Sequence, residues 1–133
     1  MDTTVLTIDT GDRRIVDLTQ EVRAFCAGRG DGLCHVFAPH ATAGVAIMET
    51  GAGSETDVIA TLERLLPRDD RYRHAHGSPG HGADHVLPVL VAPSIVVPVL
   101  DGAPALGVWQ SVVLVDTNRD NPRRHVRLSF LTG

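Results

Sequence analysis

The chain contains no lysine; all 12 of its Lys/Arg positions are arginine. That excludes a Schiff-base lysine and the lysine of a phosphate-binding P-loop. Any cationic contact to an anionic substrate therefore falls to arginine, a metal ion or backbone amides. Aromatic residues are scarce, with 1 Trp, 1 Tyr and 3 Phe, so the core has to be built from aliphatic side chains. Only Cys26 and Cys34 carry thiols. Two cysteines make no disulfide framework, which points to a reducing, cytoplasmic setting in which both are simply buried. No apolar run reaches the roughly 18 residues of a membrane span. The start, Met1-Asp2-Thr3-Thr4, lacks the basic and apolar blocks of a secretory signal. With a net charge of -4 and no basic stripe, a nucleic-acid footprint is not expected either.

What is present suits a single domain over residues 1–133: the chain is 43% hydrophobic, enough for a core of its own. Residues 3–8 alternate, with Thr4, Leu6 and Ile8 on one face, as a strand does. Gly11-Asp12 reads as a turn, after which Arg14–Val16 is expected to pair back. Asp17 with Gln20 three residues later resembles a helix start, and Leu18, Val22, Phe25 and Cys26 keep helical spacing. Leu33–Ala38 reads as a strand buried on both faces, with His35 a core histidine. Val45–Met48 is a further strand. His40 before it and Glu49 after it occupy strand ends, where site chemistry is commonly carried.

A second helix is expected from Ser54, with Asp57 in its first turn and Val58, Ile59, Leu62, Leu65 and Leu66 on its apolar side. The second half reads as strands. Val86–Val91 and Ile95–Leu100 are β-branched runs whose prolines, Pro88 and Pro98, suit edges or bulges. Leu106–Val115 is the longest strand, placing Gln110 on an apolar face where it needs a partner. His125–Leu131 alternates cleanly. The expected fold is α+β: a mostly antiparallel sheet or sandwich with two main helices packed on it.

Between these halves lies Tyr72–His85, which holds four of the seven histidines, His74, His76, His81 and His85. Its glycines and proline read as a loop. A loop rich in imidazole suits a metal ion or proton transfer.

The order His40-Ala41-Thr42-Ala43-Gly44, Glu49, Asp57, Tyr72-Arg73-His74, Ala83-Asp84-His85, Leu106-Gly107-Val108-Trp109-Gln110 and Asn121-Pro122-Arg123-Arg124 resembles the YjbQ-like family, also called secondary thiamine-phosphate synthase proteins. The resemblance covers residues 3–131. It implies a small cytoplasmic α+β protein with a β-sandwich core, assembled as a homotrimer, with a divalent metal in a cleft of histidines and acids. It also implies a weak thiamine-phosphate synthase activity, joining a pyrimidine pyrophosphate to a thiazole phosphate with release of pyrophosphate. Departures from the family pattern, Ala41, Val108 and Gly82 among them, remove polar anchors for a ligand.

Carried over by position, the resemblance implies His40, His74 and His85 as ligands of a zinc or magnesium ion, leaving a fourth coordination position open. Glu49 is then a base or an orienting partner, Asp57 a metal or histidine partner, Gln110 a polar contact and Arg123 (or Arg124) a phosphate grip. His76 and His81 have no counterpart in that pattern and are expected to be solvated. Alternatives to the synthase reading are a non-catalytic metabolite- or metal-binding protein and a metal-dependent hydrolase.

Overall fold

The computed structural model describes residues 1–133. Its first strand, β1 (Asp2–Asp9), pairs antiparallel with the last, β8 (Arg123–Thr132), over its whole length, Asp2 opposite Phe130 and Asp9 opposite Arg123. β3 (Gly32–Phe37) lies on the other side of β8, followed by β5 (Ser94–Leu100) and the two-residue β6 (Ala103–Pro104), in the order β1-β8-β3-β5-β6. A second sheet has the order β2-β7-β4, from Ile15–Asp17, Ser111–Val115 and Gly44–Met48. Every strand pairing is antiparallel.

The larger core lies between the sheets. Val36, Val97, Val126 and Leu128 from the first meet Val16, Val45, Val112 and Leu114 from the second, and α1 (Thr19–Cys26) inserts Val22 and Cys26. Each of these side chains contributes on the order of 1.5–3 kcal/mol by leaving water. The alternate residues of β7, Val113 and Val115, face the other way and pack under Leu62 of α2 (Ser54–Leu65) and Leu87 of α3 (Gly82–Leu90). The expected α+β sandwich is thus present as a five-stranded sheet, a three-stranded sheet and a helical layer.

Four expectations are corrected. There are three helices rather than two, because Val86–Val91 is not a strand; it forms most of α3. Pro88 removes one intrahelical donor there, but burial of Ala83, Asp84 and Leu87 on one side outweighs that loss and the β-branched composition. Arg14–Val16 does not pair back on β1. The chain crosses after Thr10, and β2 pairs with β7 in the other sheet. β3 is buried on one face only: Cys34 and Val36 point inward, while Leu33 is 43% exposed and His35 lies half-buried beside Phe37, ring centroids 6.0 Å apart. The expected strand from Leu106 begins only at Ser111, since residues 107–110 form an exposed turn closed by Gly107 N–H donating to Gln110 Oε1 at 2.8 Å.

Pro98 is paired with Leu33 on one side, and β6 flanks β5 on the other over Val99 and Leu100, so β5 lies one strand in from the edge rather than at the edge itself. The outer face of the large sheet carries an apolar band. Leu33 stands between Pro98 and Leu131, and Val96, Leu100 and Leu131 are each more than half exposed. No helix is long and apolar enough to cross a membrane.

Candidate metal site

The loop after α2 folds back so that His74 reaches the start of α3. Gly82 makes this possible: a Cβ there would lie 2.4 Å from Tyr72 Cβ and 2.8 Å from the His74 carbonyl oxygen. His81 precedes the first residue of α3 and His85 follows one helical turn later, so both rings lie on one side of the helix. The three rings converge. Centroids are 3.9 Å apart for His74–His85, 4.8 Å for His81–His85 and 5.5 Å for His74–His81. One ring nitrogen from each lies within 4.8 Å of the other two. The His76 ring lies tilted against His74, centroids 4.0 Å apart.

Hydrogen bonding decides which nitrogens face inward. His81 Nδ1 lies 3.2 Å from Oδ2 of Asp84, whose side chain is fully buried, and 3.3 Å from Asp120 Oδ2. A carboxylate accepts only, so the ring proton belongs on Nδ1 and the Nε2 lone pair is free. That Nε2 accepts from the His85 Nε2–H at 3.0 Å, and a metal ion taking both nitrogens would replace this proton. His74 Nε2 is shielded from solvent and has no hydrogen-bond partner within the chain.

Asp84 is itself held firmly. Its Oδ1 accepts from Arg68 Nη1 and, at 2.7 Å, from Thr117 Oγ1. A carboxylate behind a ligating imidazole fixes both tautomer and ring orientation.

Burial, with the neighbouring histidine rings, lowers the pKa of His74 and of His85. Neutral nitrogen is the form that ligates a metal. The donor set, three imidazoles with an unpartnered, shielded nitrogen among them, fits a divalent first-row ion and zinc in particular. All-oxygen magnesium coordination does not match it.

The remaining side of the cluster opens into a cleft of about 290 Å³, lined by Asp69, Asp70, Tyr72 and the loop from His74 to Gly82. Asp69 is held ionised below the usual carboxylate range by Arg71, which donates through two guanidinium nitrogens at 2.8 Å.

A second loop closes the site from behind. Buried Arg124 donates to Asp116 at 2.5 and 3.1 Å and to Thr42 Oγ1 at 2.7 Å. Asn118 donates to the same hydroxyl at 3.2 Å, and its backbone N–H to Asp116 Oδ1 at 3.0 Å. This network sets the course of the 116–120 segment, which delivers Thr117 to Asp84 and Asp120 to His81. Asp120 also accepts from the Ser78 N–H at 3.1 Å, and that bond holds its carboxyl below the usual range.

Of the residues expected from the sequence, His74 and His85 meet in one cluster, and the third member is His81. His81 is buried rather than solvated. His40 is not part of this cluster: its Nε2 accepts from the His125 N–H at 2.9 Å. Glu49 is exposed just past β4, Asp57 is exposed on the first turn of α2, and Arg123 is exposed at the start of β8. Gln110 is engaged within its own turn. None of these four lines the histidine cleft. The features missed were the one-turn spacing of His81 and His85 with Ala83 and Leu87 beneath them, and Asp84 and Thr117 behind. The helical spacing was readable; the long-range partner was not.

A family model described as "UPF0047 protein YjbQ-like" matches residues 4–133. A UPF0047 protein of Mycobacterium tuberculosis is 72% identical over 133 residues, covering 100% of both chains. One from Archaeoglobus fulgidus is 34% identical over 120 residues, covering 90% of this chain and 94% of its own. Among solved structures, a hypothetical protein of Aeropyrum pernix K1 superposes with a TM-score of 0.90 at 28% identity, covering 100% of both chains.

Proposed function

The chain belongs to the YjbQ-like UPF0047 family, and from the arrangement of its histidines we propose that it is a metal-dependent enzyme acting on a small phosphorylated molecule. The observation that carries this reading is the state of three ring nitrogens. The bond from Nδ1 to Asp84 leaves a lone pair on His81 Nε2, His85 Nε2 shares a single proton with it at 3.0 Å, and His74 Nε2 is shielded without a partner. Three protein ligands and an open side are the mark of a catalytic rather than a structural zinc site. When bound, a divalent ion there supplies Lewis-acid neutralisation of anionic oxygen.

The chain's own residues prepare and shield that position. Asp84 and Asp120 hold the proton on His81 Nδ1 and orient its ring. Arg68 and Thr117 fix Asp84. His76 lies against His74. Asp69 and Asp70 give the mouth an acidic rim. With no arginine in the lining, phosphate recognition falls to the ion or to a second copy of the chain.

The reaction class we favour is transfer with loss of pyrophosphate, as in a thiamine-phosphate synthase. The chain then works as a homotrimer whose subunits cover the apolar band of Leu33, Val96 and Leu131. The acidic rim supports a second reading, a metal-dependent hydrolase, because it disfavours a substrate with two phosphorylated partners.

One assay separates the two. Zinc-loaded protein is incubated with the pyrimidine pyrophosphate and the thiazole phosphate, and separately with a panel of phosphate and carboxylic esters. The synthase reading predicts thiamine phosphate and pyrophosphate in equal amounts. Ester cleavage without that product selects the hydrolase. Turnover of neither set, with zinc bound and the melting temperature raised, leaves a non-catalytic metal-binding protein and refutes the enzyme reading.

A further inference from the structure

One ring of the histidine loop stands apart from the cluster. His76 is exposed, and neither of its ring nitrogens is hydrogen-bonded within the chain. Its ring centroid lies 4.0 Å from that of His74, 5.7 Å from that of His81 and 6.3 Å from that of His85. It is nonetheless outside the set of three nitrogens that lie within 4.8 Å of one another. It lines the cleft of about 290 Å³ onto which that set opens.

The other side chains of the lining have no donor to offer a molecule in the cleft. Asp69 and Asp70 carry carboxylates, and no arginine is present. The Tyr72 hydroxyl is spent on the Pro67 carbonyl oxygen at 2.9 Å. Ser78 Oγ is shielded from solvent. His74 and His81 belong to the ligand set. His76 is left as the one exposed side-chain N–H, because an imidazole keeps a donor in either tautomer. An anion entering past the aspartate rim needs its charge offset and its oxygens oriented. Charge neutralisation alone leaves it free to turn. A ring N–H donates along one direction, so it fixes which oxygen faces the ring. A phosphate monoester has several strong acceptor oxygens on one centre, enough to meet both demands at once.

On the premise of the metal-site reading above, we propose that His76 positions a phosphate monoester in this cleft, donating its ring N–H to one phosphoryl oxygen while another faces the three-histidine position.

The test uses the full chain, zinc-loaded and metal-free, with inorganic phosphate as probe. Calorimetry follows phosphate, and competition with a chromophoric chelator follows zinc. Zinc-loaded wild type should bind phosphate with a Kd at or below about 1 mM. His76→Ala removes an exposed ring with no bond to the chain, and equal melting temperatures of the metal-free proteins check that the fold is kept. It should weaken phosphate at least about tenfold with zinc affinity unchanged. His76→Gln, which keeps an N–H donor, should recover part of that loss. Equal phosphate affinity in His76→Ala, an equal loss in both variants, or zinc-loaded wild type that binds no phosphate would each overturn the proposal. Loss of zinc affinity in His76→Ala would make His76 a ligand of the ion, which overturns its role here and leaves the metal site standing. Failure of the wild type to take up zinc would refute the metal-site reading itself.

Discussion

Replacing Asp84 with Asn tests how the cluster is held ready for a metal. The wild-type carboxylate takes bonds from Arg68, Thr117 and His81 and is fully buried. Asn keeps the shape and one acceptor oxygen. If that oxygen stays on Arg68 and Thr117, the amide NH2 points at His81 Nδ1. That nitrogen then has to accept, the ring proton moves to Nε2, and the lone pair facing His85 is lost. Disturbing such a partner commonly costs 10–100-fold in metal affinity. Asp120 lies 3.3 Å from the same nitrogen and can partly restore the tautomer, so the single variant should lie near the tenfold end and Asp84→Asn with Asp120→Asn near the hundredfold end.

Stability reports separately. Loss of charge on the bond to Arg68, whose side chain is 29% exposed and can turn to water, should cost about 1–2 kcal/mol in the metal-free protein. Asp84→Ala leaves Arg68 unpaired and should cost about 3 kcal/mol, the low end of the range for breaking a buried pair. Zinc titration against a chromophoric chelator gives the affinity, and denaturant unfolding of the metal-free chain gives the stability. Zinc affinity unchanged in the double Asn variant would refute the argument that these carboxylates set the His81 tautomer.

Three further outcomes are expected. His74→Ala should weaken zinc uptake strongly and abolish turnover while leaving metal-free stability about equal, since it removes an unpartnered ring nitrogen; zinc titration and denaturant unfolding with and without zinc check both. His40 has its pKa lowered by burial and by Arg124, so the unfolded chain binds this proton more readily than the folded one. Stability from this group is complete above its ordinary value of about 6.5 and falls as pH drops below it. His40→Asn, which retains an acceptor for the His125 N–H, should flatten the fall in a pH series of melting temperatures. Leu33→Asp places a charge at the centre of the apolar band without touching the core; under the homotrimer proposal light scattering should find trimers for the parent chain and monomers for the variant, with zinc uptake unchanged.

Much of the sheet architecture was legible because it rests on local pattern. The alternation in β1 and β8 fixed which faces turn inward, and Leu6, Ile8, Val126 and Leu128 do pack there. Where expectation failed, a tertiary contact overrode local preference. Val86 and Val89 favour a strand and Pro88 disfavours a helix interior, yet Asp84 and Leu87 are buried against groups far along the chain. His35 was assigned to the core because β3 looked buried on both faces; its outer face is in fact the half-covered apolar band.

Part of the candidate cluster was legible. The family resemblance points to His74 and His85, which lie together in the structure, and helical spacing could have added His81. His40 could not have been excluded from sequence, since what engages it is a backbone group 85 positions away. Asp84 and Thr117 likewise meet only once α3 lies over the loop after β7.

X-ray absorption at the zinc edge of the loaded protein tests the central claim most directly. The account predicts one ion per chain with three imidazole nitrogens at about 2.0–2.1 Å and one further light ligand, reduced to two imidazoles in His81→Ala and unchanged in His40→Ala. Loss of an imidazole in His40→Ala with none lost in His81→Ala, or a chain that retains no zinc at all, would contradict it.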